Sequence, residues 1–199
     1  MGQAKVVVGA SDHYGRAELV TLTNRGGAPA LLDRRRVELI DAELPVAPYH
    51  HEALEMEAEQ AAELVAGVRR SVAKHAAAAI ATMKAEFGAD ALVLPASPYD
   101  GLPDALQDVL RSRPLTNAAD GMLYREALAE AAADAGLRVC RYPRKADPTT
   151  LAAKAMGVDA QRIKALIADF GGQVGPPWRK DHKLAAAAAL SELATGARG

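Results

Sequence analysis

Apolar and polar positions change period repeatedly along this chain, and the changes mark its elements. Val6, Val7 and Val8 are β-branched and continuous, the pattern of a strand buried on both faces, and Asp12 to Gly15 supply turn chemistry after it. Over about 17 to 24, Val20 and Leu22 alternate with Thr21 and Thr23, so the period is two and a hairpin partner is predicted. The turn Asn24-Arg25-Gly26-Gly27 leads to a third run, Leu31 to Ile40, in which Val37 and Leu39 alternate with Arg36 and Glu38. Three antiparallel strands are expected to open the fold.

Two prolines and Tyr49-His50-His51-Glu52 make 44 to 52 a connection. From about 57 to 87 the period becomes helical: Leu64, Val65, Val68, Val72, Ile80, Met83 and Phe87 form an apolar stripe on a helix of roughly 30 residues, about 45 Å long. Such a helix outreaches a small sheet. Either Gly67 interrupts it, or its surplus length packs on a second copy of the chain as a homodimer. Ala91 to Leu94 reads as a short buried strand, Leu137 to Tyr142 as a fifth strand, and helices are predicted near 104 to 112, 119 to 135, 148 to 156, 160 to 169 and 180 to 193. The stretch Gly171 to Pro177 is expected to be a loop. No internal repeat is present, and residues 1–199 are expected to form one α/β domain.

Composition changes this picture little. At 199 residues the chain can bury a substantial core, and its alanine-rich, aromatic-poor make-up suits helices packed closely on small side chains. A formal net charge of -1 gives no global attraction for a phosphate polymer, so contact with nucleic acid must be local. The basic clusters are Arg34-Arg35-Arg36, Arg69-Arg70 and the string Arg138, Arg141, Arg144 and Lys145; solvated faces and strand edges account for such runs as well as a groove does. One cysteine, Cys140, excludes an intrachain disulfide framework. No leader-like segment and no run of about eighteen apolar residues is found, so a cytoplasmic protein without a membrane span is expected.

Candidate chemistry gathers at two Asp-His pairs. Asp12-His13 follows the first strand, and Asp181-His182 opens the last helix. With the element order above, Val7-Val8-Gly9-Ala10-Ser11-Asp12 and Asp181-His182-Lys183-Leu184-Ala185-Ala186 carry a resemblance to the ribonuclease H-like superfamily, in the branch of RuvC-type Holliday-junction resolvases. The resemblance implies a mixed five-stranded sheet, three antiparallel strands first, flanked by helices. It also implies a nuclease that hydrolyses nucleic-acid phosphodiesters with a pair of divalent cations, Mg or Mn, about 3.5 to 4 Å apart.

On that resemblance Asp12 and Asp181 are the candidate catalytic acids, with Glu52 as a third and Asp100 as the acid nearest the fourth strand. In the family the first acid follows the glycine by two positions, where this chain has Ser11. The second ends the fourth strand, where this chain has Leu94-Pro95-Ala96-Ser97. The last helix offers two acids three apart, where Asp181 has Trp178 and Leu184 at that spacing. His13, His50, His51 and His182 lie beside or close to candidate acids, and with Asp12 and Asp181 they form a mixed set suited to a transition metal. None of the spacings is a dedicated zinc motif, and the same histidines serve equally as caps and surface residues.

Other chemistries fit less well. Ser11 and Ser97 lack a glycine-flanked nucleophile elbow, and Cys140 lies within a strand. A phosphate loop at Gly9 to Gly15 would need a helix after it, and a strand follows. Trp178 either stacks on a base or packs its loop over the core. Two functions remain: a divalent-metal-dependent nuclease, or a catalytically degenerate binding or assembly module.

Overall fold

Five strands, β1 (Val6–His13), β2 (Arg16–Arg25), β3 (Ala28–Glu38), β4 (Ala91–Pro95) and β5 (Arg138–Tyr142), make one sheet in the order β3-β2-β1-β4-β5. They belong to a computed structural model that describes residues 4–195. The first three strands are antiparallel, and β1 then pairs parallel with β4, and β4 with β5. A parallel join needs a crossover, and α1 (Ala58–Phe87) and α3 (Arg113–Asp134) supply the two. Between them lies the short α2 (Leu106–Leu110); α4 (Pro148–Met156), α5 (Ala160–Val174) and α6 (Lys180–Thr195) complete the chain.

Side chains alternate across a strand, and that alternation divides the core. Val6, Val8 and Ala10 of β1, with Ala17 and Leu19 of β2, pack under α1 and α3. Val7, Val20 and Leu22 face the other way, under α4, α5 and α6. Each fully buried valine or leucine stabilises the fold by about 1.5–3 kcal/mol relative to exposure. The two faces are therefore separate packing layers. Position parity along β1 decides which helix a side chain meets.

α6 lies directly on β1. A Cβ placed on Gly9 would stand 1.9 Å from the Ala185 carbonyl oxygen and 2.9 Å from the Ala189 nitrogen. The run Ala185 to Ala189 is fully buried, which only small side chains allow at this helix-to-sheet distance.

α1 runs through Gly67 without a break, and its surplus length is covered by the chain itself. Ala61 and Val65 pack with Tyr49, Ala53, Val109 and Ala119 in a third small core. α5 also extends beyond expectation, through Gly171 and Gly172 to Gly175, which takes φ 69°. Gly171 is needed there because a Cβ would meet the Trp178 ring at 2.5 Å. α3 begins six residues earlier than the helix expected from 119, with Pro114 in its first turn, where a missing N–H costs nothing. Among the described residues no helix is long and apolar enough to cross a membrane.

Candidate functional site

At the carboxyl end of β1 the two faces of the sheet carry different sets of polar groups. Asp12 shares the parity of Val8 and Ala10, and so faces α3. Arg125 on α3 clasps it with both arms of the fork: Nη2 is 2.9 Å from Oδ2 and Nε is 3.2 Å from Oδ1. Only 6% of the Asp12 side chain and 13% of that of Arg125 are exposed. A third N–H of Arg125 reaches the Ala96 carbonyl at 3.4 Å. Bidentate pairing of this kind fixes geometry as well as charge.

Ser11 and His13 have the opposite parity and face α6. Ser11 is opposite Glu18 in the β1–β2 register, and His13 is opposite Arg16. Nε2 of His13 lies 3.2 Å from Oδ1 of Asp181, an ion-pair distance without hydrogen-bond alignment. Next along α6, Nε2 of His182 lies 3.1 Å from Oε2 of Glu18, with only 6% and 10% of these side chains exposed.

The state of His182 follows from its other nitrogen. The Arg179 backbone N–H donates to Nδ1 at 3.0 Å, which closes the first turn of α6 in the manner of a capping box. A ring nitrogen that accepts carries no proton, so the neutral tautomer has its hydrogen on Nε2, facing the Glu18 carboxylate. Burial is the main cause that holds this imidazole below its ordinary value; Glu18 opposes it, and Arg34 adds to it. The Trp178 ring stacks on His182 at 5.6 Å and packs against the core beneath α6, so it closes the loop over the core.

His50, His51 and Glu52 stand elsewhere, around Asp120 of α3. Asp120 is fully buried and accepts the backbone N–H groups of Tyr49 at 3.1 Å and His50 at 2.9 Å. The His50 and His51 rings meet edge-on at 4.7 Å, and Glu52 begins a 3-10 turn, Glu52–Glu55. Burial pushes the Asp120 carboxyl up to about 6, against the two N–H donors that favour its charged form. Asp100 lies in the exposed loop after β4 and lines a cleft of about 820 Å³ with Arg69, Arg70 and Tyr99.

The structure thus joins His13 to Asp181 and turns Asp12 to Arg125 on the other face of the sheet, while Glu52, His50 and His51 gather around Asp120. Among the described residues no three His, Cys, Asp or Glu side chains converge as a metal cage. β1 presents Ser11 toward α6, β4 ends in Pro95, and α6 offers Asp181 with Leu184 three residues on. The remaining carboxylates there, Asp181 and Glu18, are each engaged by an imidazole. These residues do not fit a pair of divalent cations.

Glu18, Arg125 and Asp120 were not among the sequence candidates. A signal for Glu18 existed, since it sits two positions before Val20 on the strand's buried face. Most of the arginine clusters are engaged within the chain: Arg35 by Asp33 and Glu86, Arg36 by Glu38, Arg138 by Glu192 and Arg141 by Glu126. Asp41 receives Ser71 Oγ at 2.7 Å and His75 Nε2 at 2.8 Å. Both bind the same carboxylate, so this Ser-Asp-His group is a latch from the exit of β3 to α1 and holds no activated serine.

No family model and no curated protein matches this chain. Solved structures do. The Thermus thermophilus RuvC structure superposes with a TM-score of 0.57 at 14% identity, covering 96% of this chain and 95% of that one. Thermus thermophilus RuvC in complex with a Holliday junction substrate superposes with a TM-score of 0.58 at 15% identity, covering 98% and 96%. Sheet order and strand directions agree with this likeness, which runs over nearly the whole chain, and the fold is the ribonuclease H-like fold seen in RuvC.

Proposed function

We propose that this chain is a non-hydrolytic ribonuclease H-like module that binds nucleic acid or assembles on it. The observation that carries the reading is the side-chain set where β1 and β4 end beneath α6. Ser11 and Pro95 cannot act as the anionic ligands that two-metal hydrolysis requires, and Glu18 and Asp181 are turned toward imidazoles. The RuvC neighbour solved with a Holliday junction supplies the class of partner, a branched or duplex nucleic acid.

The test is a binding and cleavage assay on a synthetic four-way junction, duplex DNA and duplex RNA, each with magnesium and with manganese. Binding without cleavage is the expected result. Sedimentation of the same samples reads whether the bound form is one copy or a homodimer.

A metal-assisted nuclease is the second reading. It is favoured by Asp181, which stands in the first turn of α6 with 30% of its side chain exposed, within reach of a cation that displaced His13. Cleavage that requires manganese and is abolished by Asp181→Asn would establish this reading and remove the first.

A further inference from the structure

We propose that the cleft beside the β1–β2 turn is an oxyanion site that takes a phosphate group without a metal ion. This cleft of about 370 Å³ is lined by Asp12, His13, Tyr14, Arg16, Gly121 and Arg125. Its size suits a small ligand or one group of a larger one.

The charge pattern of its walls carries the assignment. Every carboxylate at the cleft is already engaged. Asp12 is clasped by Arg125, Asp181 stands against Nε2 of His13, and Asp120, behind Gly121, accepts two backbone N–H groups. The donors are not. No described residue forms a hydrogen bond or ion pair with the side chain of Arg16, although this residue is partly buried at the start of β2.

Arg125 commits three of its five N–H groups, to Asp12 and to the Ala96 carbonyl, and keeps two. His13 keeps Nδ1. Tyr14 is 45% exposed, and burial of its ring edge with the nearby Asp120 charge pushes its phenol above the ordinary value, so its O–H remains a donor.

A cleft whose acceptors are satisfied and whose donors are free is complementary to an oxyanion. The donors come from three directions: Arg16 from β2, Arg125 from α3, and Tyr14 from the turn. That spread suits a tetrahedral phosphate better than a planar carboxylate, which a single guanidinium fork satisfies. The phosphate is either free or the terminus of an ester such as a nucleic-acid 5′ end. The non-hydrolytic reading rests on Ser11, Pro95, Glu18 and Asp181, none of which lines this cleft, so failure of the oxyanion site would leave that reading untouched.

Isothermal titration of the full chain with sodium phosphate at low ionic strength tests the proposal, with sodium acetate as the planar comparator. Saturable binding of one phosphate per chain is expected, weaker by about tenfold or more in Arg16→Gln, as loss of a charged hydrogen bond requires. A smaller loss is expected in Tyr14→Phe, with circular dichroism confirming both folds. Competition by a 5′-phosphorylated dinucleotide, and none by its 5′-hydroxyl form, would make the ester terminus the source; no competition by either would make it free phosphate. No saturable heat, equal affinity in the parent and both variants, or acetate binding as tightly as phosphate would overturn the proposal.

Discussion

Glu18 on β2 and His182 on α6 meet with 3.1 Å between Oε2 and Nε2, at a place where both side chains are almost wholly removed from water. The pair ties the second strand to the last helix across the end of the first. Because Nδ1 of His182 is committed to the Arg179 N–H, the imidazole is neutral and the carboxylate carries the charge. The two partners therefore differ in what their removal leaves behind. His182→Ala strands a buried carboxylate and also removes the first-turn cap of α6, whereas Glu18→Gln leaves only a neutral N–H with an amide beside it.

The expected outcome is an asymmetry in urea unfolding. His182→Ala should cost about 3–5 kcal/mol, the range for an uncompensated buried charge, and Glu18→Gln about 1–3 kcal/mol, the range for a buried polar group left without its partner. Equal costs, or a larger cost for Glu18→Gln, would show the imidazole to be the charged partner.

Asp120 sets a pH dependence of its own. Its carboxyl is raised from 3.8 to about 6 in the folded chain, chiefly by burial. The folded state therefore binds a proton more tightly than the unfolded state does. The stabilisation is fully present below about pH 4 and is lost as pH rises through about 6.

His182 acts in the opposite sense, since its lowered value makes the folded state lose stability as pH falls below its ordinary 6.5. The parent profile alone would blur the two. The difference in melting temperature between the parent and Asp120→Asn, followed from pH 4 to 8, isolates the carboxyl because His182 is common to both. The parent should gain stability relative to the variant as pH falls from about 7 to 4. A flat difference curve would show that Asp120 is not held protonated more tightly by the fold.

The sheet was legible in the sequence because its strands carry clean periods. Alternation in β2 and β3 and the continuous valines of β1 suffice for three antiparallel strands, and the apolar stripe of α1 suffices for a helix of 30 residues. The site was less legible, for a reason visible at Asp12. Its neighbour in sequence, Ser11, faces α6, so a shift of one position moves the carboxylate to the other side of the sheet.

Its true partner, Arg125, is 113 residues away on a helix whose rotation no local pattern specifies. Asp120 was hidden for a similar reason. It sits in the apolar part of α3, and only the folded loop shows that backbone N–H groups reach it. The surplus of α1 could be seen in the sequence, while its covering by Tyr49, Val109 and Ala119 could not.

Gly9 shows how closely the candidate site depends on one absent side chain. The strand-to-helix approach leaves 1.9 Å between a Cβ at this position and the Ala185 carbonyl oxygen, with the Ala189 nitrogen at 2.9 Å. Both obstacles are backbone in the middle of α6, so no rotamer change relieves the clash. Gly9→Ala must push the helix away from β1 and open the alanine layer beneath it. Overpacking at a rigid interface costs about 1–3 kcal/mol or more. The same seating of α6 on β1 also holds His182 against Glu18 and Asp181 against His13, so displacing the helix weakens both pairs.

The variant is expected to lose at least about 3 kcal/mol in denaturant unfolding. Amide hydrogen exchange should accelerate along α6 and the end of β1 while α1 and α3 stay protected. Gly67→Ala is the matched control. That glycine lies within α1, where the nearest atom to an added Cβ is the flexible end of Arg70 at 3.9 Å, and the substitution should stabilise the helix by about 0.5–1 kcal/mol. If Gly9→Ala were no more costly than this control, the close seating of α6 on β1 would be refuted.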